Sequence, residues 1–111
     1  RGKKMTTMEQ PPFYLISCSG NLSFSNYKSL RSMTNKGAES AQSIVAFDIS
    51  DVDYIDSSGL GALIQSAKRL KAKQKSVVII NASEKASDML RRTHLDRLLP
   101  LYSSLADVPT N

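Results

Sequence analysis

Between residues 43 and 80 the spacing of the apolar side chains changes twice, and this narrows the choice of fold more than any other feature. Ile44-Val45-Ala46-Phe47, within residues 43–49, is almost uninterruptedly apolar, the pattern of a central strand covered on both faces. Leu60, Leu63, Ile64, Ala67 and Leu70 then recur at helical spacing, with Gln65, Lys68, Arg69 and Lys71 off that stripe. One stripe of that helix therefore faces a core and the rest faces water. Val77-Val78-Ile79-Ile80 returns to the strand pattern. A strand, a helix and a strand in this order form a parallel crossover unit, which is right-handed in nearly all sheets.

The flanks extend the unit. Residues 13–19, aromatic and β-branched at first, follow the Pro11-Pro12 break and predict a strand that Gly20 ends. A weaker strand is expected around residues 4–9. Ser25 is placed to cap a helix in which Tyr27, Leu30 and Met33 recur until Asn35-Lys36-Gly37 stops it. Ser83 caps a further helix with Ala86, Met89 and Leu90 facing inward. After a short apolar stretch, residues 95–101, Ser104 and Asp107 have the spacing of a capping box and predict a last helix. The expectation is an α/β fold with a central mixed, mostly parallel sheet of about four to five strands and about four helices. At 111 residues the chain suits one domain over residues 1–111. Residues 1–11 are open to being partly a tag or a loosely ordered lead. The first residue is Arg1, which leaves the chain open to being a piece of a longer protein.

The net charge of +5 raises the question of nucleic acid or an anionic membrane, but its distribution favours a local cause. Asp48, Asp51, Asp53 and Asp56 precede the central helix, and Lys68, Arg69, Lys71, Lys73 and Lys75 crowd its far end, the order a helix dipole prefers. No stacking aromatics are interleaved with these bases, so no direct nucleic-acid partner is expected. No run of eighteen apolar residues is present and no signal segment opens the chain, so no membrane span is expected. Cys18 is the single cysteine, which suits a reducing cytoplasm. It shares a strand face with Tyr14 and Ile16, the place of a small buried thiol. His94 is the only histidine, so there is no Cys/His ligand set for zinc, and no Ser–His pair has a recognisable family spacing. The aspartates lack the glycine and terminal glutamate of a calcium loop, and no phosphate-cradling loop with its lysine occurs. No cofactor or metal is expected, and the chain reads as the substrate of a kinase rather than as an enzyme.

The corner Asp56-Ser57-Ser58-Gly59-Leu60-Gly61 joins a strand end to the best-defined helix. Ser57 is expected at the N-cap or in the first turn, with the N–H groups of Ser58, Gly59 and Leu60 pointing toward its hydroxyl. Gly59 and Gly61 would leave room for another molecule. A phosphate there would bring about −1.5 to −2 charges to a helix N-terminus. Taken by itself, a serine in this position is most often only a cap.

The order of elements resembles the STAS domain family, and especially its anti-sigma factor antagonists. Gly20-Asn21-Leu22-Ser23 lies where that family has a glycine, an acid, an apolar residue and an aspartate. Residues 44–49 resemble its central strand, with Asp48-Ile49 at the end. Ile55-Asp56-Ser57-Ser58-Gly59-Leu60-Gly61 matches its phosphorylation motif without a gap, and residues 77–80 and 89–99 fall where it has its last strand and following helix. The resemblance implies that Ser57 is phosphorylated by an anti-sigma factor that is also a serine kinase. The unphosphorylated form binds that kinase and frees the sigma factor, and a serine phosphatase resets the switch. It further implies that Asp56 orients the Ser57 hydroxyl or the kinase contact, and that Ser58 and Gly59 shape the turn. Asn21, Ser23, Asp56, Ser57, Ser58 and Gly61 would form the partner-binding face. Asn21 and Ser23 replace two family acids and remove two negative charges beside it. The alternative implied by the same fold is a regulatory domain of an anion transporter or of a larger signalling protein. Transporter tails often carry a long insertion before the motif, which this chain lacks.

Overall fold

The computed structural model describes residues 5–22 and 27–110. Five strands lie in the spatial order of the chain: β1 (Thr6–Gln10), β2 (Phe13–Leu22), β3 (Ile44–Ile55), β4 (Ser76–Ile80) and β5 (Leu101–Tyr102). β1 and β2 pair antiparallel, and every later pair is parallel. Three helices supply the connections, α1 (Tyr27–Glu39), α2 (Ser57–Ala72) and α3 (Glu84–Arg92). The mixed, mostly parallel sheet agrees with the fold expected. The helix count differs slightly: among the described residues there are three α-helices and two single 3-10 turns, Leu95–Arg97 and Leu105–Asp107.

Because side chains alternate along a strand, the sheet builds two cores. Ile16, Cys18, Val45, Phe47, Ile49 and Ile79 face the helices and pack with Leu30, Leu63, Leu70 and Leu90. On the other face Phe13, Ile44, Ala46, Val78 and Ile80 are covered by Val108 with Tyr102 and Leu105. The first half of β3 is thus buried on both sides, as its apolar run requires.

Three boundaries differ from the sequence reading. β3 does not stop at Ile49 but runs to Ile55, so Asp51 and Asp53 lie in a strand and not in a connection. Three steps along β3 (48 to 51) oppose two along β2 (17 to 19), and Val52 and Tyr54 oppose the adjacent Gly20 and Asn21. These bulges insert extra residues on β3 and convert a period of two into the buried set Ile49, Val52, Ile55, which sequence alternation does not reveal. Gly20 does not end β2 either. It takes φ +75° at the second bulge, a left-handed geometry that glycine adopts without strain, and the strand continues to Leu22.

α1 likewise passes through Gly37 to Glu39. A Cβ on Gly37 would lie 3.1 Å from Tyr14 Cδ2 and 3.4 Å from Val45 Cγ2, so this glycine lets the helix lie close on the sheet. That contact offsets a propensity cost of about 1 kcal/mol. Ser25 lies outside the described residues. The last predicted helix is only the turn Leu105–Asp107. Ser104 Oγ donates to Asp107 Oδ2 at 3.4 Å, and its side chain makes no bond to the helix backbone.

Two lysines serve the fold directly. Lys75 Nζ donates to the carbonyls of Ser40 and Gln42 at 2.7 and 2.6 Å, and Lys71 Nζ donates to that of Leu98 at 3.0 Å. These lysines tie the end of α2 to neighbouring loops.

Candidate functional site

β3 delivers the chain to the start of α2, and Asp56 makes the turn. Its backbone is extended, and its Oδ1 accepts the Gly59 N–H at 2.8 Å while its carbonyl accepts the Leu60 N–H at 2.9 Å. Asp56 is therefore the N-cap, and Ser57 is the first helical residue instead of a cap. This corrects the expected donor set: of the N–H groups of Ser58, Gly59 and Leu60, the latter two are already bonded to Asp56. The fold thus offers a phosphate on Ser57 little internal reception. It would meet the positive end of a helix dipole that a neighbouring carboxylate already offsets.

Ser57 and Ser58 are exposed, and Asp56 is half-buried. The two glycines divide their tasks. Gly59 is buried, whereas a Cβ on Gly61 would meet nothing within 4 Å. Only Gly61 fits the expectation of room for another molecule.

The parallel pairing of β2 with β3 brings Asn21 opposite Tyr54 and Leu22 opposite Ile55. Asn21 is thereby set at the same end of the sheet as Asp56, Ser57, Ser58 and Gly61, outside the carboxyl ends of parallel strands, where open α/β sheets bind their ligands. Ser23 lies outside the described residues.

One residue of this end was not singled out from sequence. Tyr54 is 54% exposed, one of two large hydrophobic side chains so exposed among the described residues, and it borders a small depression with Met89 and Lys85. The signal is an aromatic residue between Asp53 and Asp56, in the strand end that leads into the corner.

The remaining chemistry is quiet. Cys18 is 2% exposed, and its thiol is pushed up to about 12, first by burial and then by the charge of Asp48. It is a core thiol at neutral pH. His94 is exposed and occupies a left-handed position after α3. Among the described residues no group of three His, Cys, Asp or Glu side chains is placed to hold a metal ion, and no helix is long and apolar enough to cross a membrane.

With this geometry in place the comparisons are informative. The family model described as STAS domain matches residues 4–108, and the chain belongs to that family. A Thermotoga maritima protein assigned as an anti-sigma factor antagonist is 29% identical over 59 residues, covering 53% of this chain and 52% of that protein. The match therefore spans about half the length of this relative. The crystal structure of an anti-sigma factor antagonist of Thermotoga maritima superposes with a TM-score of 0.82 at 18% identity, covering 93% of this chain and 89% of that one. The anti-sigma factor antagonist SpoIIAA in its unphosphorylated form gives a TM-score of 0.71 at 15% identity, with 93% and 91% covered. The phosphorylated form of SpoIIAA from Bacillus gives 0.67 at 16%, with 89% and 91% covered. At these identities the structures establish the fold.

Proposed function

We propose that this chain is an anti-sigma factor antagonist whose binding is switched by phosphorylation of Ser57. The unmodified form docks on an anti-sigma factor with serine kinase activity, so that the sigma factor is released. The kinase then transfers the γ-phosphate of ATP to Ser57 Oγ: the new P–O bond forms, the serine proton goes to a base on the kinase, and ADP leaves. A serine phosphatase restores the hydroxyl by hydrolysis. The observation that carries this reading is that Asp56 does the capping and leaves Ser57 exposed with no structural task. A phosphate there projects at the docked partner rather than into the fold, and like-charge repulsion and desolvation then favour release. The exposed Tyr54 beside the corner suits an aromatic anchor within such an interface. Membership of the STAS family, and a fold shared with a protein solved in phosphorylated and unphosphorylated forms, support the reading. The transporter-domain alternative is not favoured, since a matched relative is assigned as an anti-sigma factor antagonist. The site is cytoplasmic on this reading, where kinase, ATP and sigma factor meet.

The test is binding of a candidate kinase to wild type, Ser57→Ala and Ser57→Asp, with intact-mass analysis after incubation with ATP. Wild type and Ser57→Ala should bind alike, Ser57→Asp about tenfold or more weakly, and a single phosphate should map to Ser57. Equal affinity of all three proteins, or no phosphate on Ser57, overturns the proposal.

A further inference from the structure

Along the seam between α1 and α2 runs a groove of about 430 Å3, within the size range of small-molecule sites. Its floor is the face of α2 formed by Ser58, Gly61, Ala62 and Ser66, three and four residues apart. The empty space over Gly61 makes that residue part of the cavity and not of a helix–helix contact. At the level of Ser66 the helices are fastened, because Thr34 Oγ1 donates to Ser66 Oγ at 2.9 Å in a buried bond. The groove is therefore held open by a fixed crossing of the helices.

Its walls carry Tyr27 and Arg31 from α1 and Gln65 and Arg69 from α2, and among the described residues no carboxylate lines it. Among the described residues neither Arg31 nor Arg69 takes part in an ion pair. Three other bases are engaged: Lys71 and Lys75 hold backbone carbonyls and Arg91 lies 3.9 Å from Asp88. Two unpaired guanidinium groups from different helices, beside mostly apolar walls, form a concave site with one sign of charge. Their planar forks match carboxylate and phosphate oxygens.

We propose that this groove binds a small organic anion, its carboxylate or phosphate head held by Arg31 and Arg69 and its apolar body laid over Gly61 and Ala62. The site goes beyond the switch at Ser57 and does not depend on it, although it shares Ser58 and Gly61 with that corner.

The test is titration of the isotopically labelled chain, followed by amide resonances, with octyl phosphate, octanoate, inorganic phosphate and octanol, all below micelle-forming concentrations. Saturable shifts at Gly61, Ala62 and Gln65 are expected with octyl phosphate or octanoate, and the stronger of the two identifies the head group. Arg31→Gln with Arg69→Gln should weaken binding about tenfold or more. Gly61→Leu, whose Cβ would enter open space and whose side chain favours the helix, should fill the groove and abolish it. Three results overturn the proposal: no saturable shift with either organic anion, octanol binding as well as the anions, or inorganic phosphate binding as well as octyl phosphate. Binding that survives in Gly61→Leu with the spectrum otherwise unchanged also overturns it. No kinase is present in the titration, so its failure leaves the Ser57 switch standing, and failure of the switch leaves this site standing.

Discussion

The starts of α2 and α3 solve the same problem with different residues. At α3 the cap is a serine: Ser83 Oγ accepts the Ala86 N–H at 3.1 Å. At α2 the same bond, from the third residue on, goes to the carboxylate of Asp56 at 2.8 Å, and the serine that follows is exposed. A hydroxyl employed as a cap is tied to the stability of its helix. A hydroxyl next to a cap is available to chemistry. Both helices begin at serine-containing corners, yet only α2 has one to spare.

Substitutions at the two corners turn this contrast into measurements of denaturant-induced unfolding. The largest loss is expected for Asp56→Ala, about 1.5 kcal/mol, since it removes a charged cap from the longer helix. Ser83→Ala should cost about 1 kcal/mol. Ser57→Asp places a second acid at the helix start, where it gains from the dipole and loses to Asp56, so a net gain of about 0.3 kcal/mol is expected. Ser57→Ala should change stability by less than about 0.5 kcal/mol in either direction. A cost for Ser57→Ala as large as that for Ser83→Ala would erase the difference between the corners. Cys18 sets the pH for this series. Its folded thiol is pushed up to about 12 from 9.0, so above pH 9.0 the unfolded chain releases a proton that the folded one keeps. Stability should be flat in this respect below pH 9.0 and fall as pH rises from there toward 12, equally for every variant and not for Cys18→Ala.

The sequence disclosed the features that rest on unbroken periodicity. The buried half of β3, the apolar stripe of α2 and the Ser83 cap are each written in contiguous residues. It misled where tertiary contact reverses a local preference. Gly37 stays in a helix because Tyr14 needs the space, and the bulges opposite Cys18 and Gly20 hide that residues 50–52 join the central strand to the strand end at Ile55. At the corner itself, Asp56 and Ser57 are both good caps by residue type, and only the backbone angles decide which one turns the chain. The register of Asn21 with Tyr54 was hidden for the same reason as the strand, since each bulge resets it. The groove was invisible because its two arginines, positions 31 and 69, lie on helices separated by a strand.

The buried bond between Thr34 and Ser66 carries a consequence for how relatives of this chain can diverge. Replacing either hydroxyl alone strands the other in a dry interior, at a cost of about 1–3 kcal/mol, whereas replacing both with apolar residues of similar shape is close to neutral. Drift at these positions should be rare one at a time and permitted in pairs. Positions 34 and 66 are therefore expected to covary across related sequences, a statistical trace that an alignment can reveal without any protein being purified.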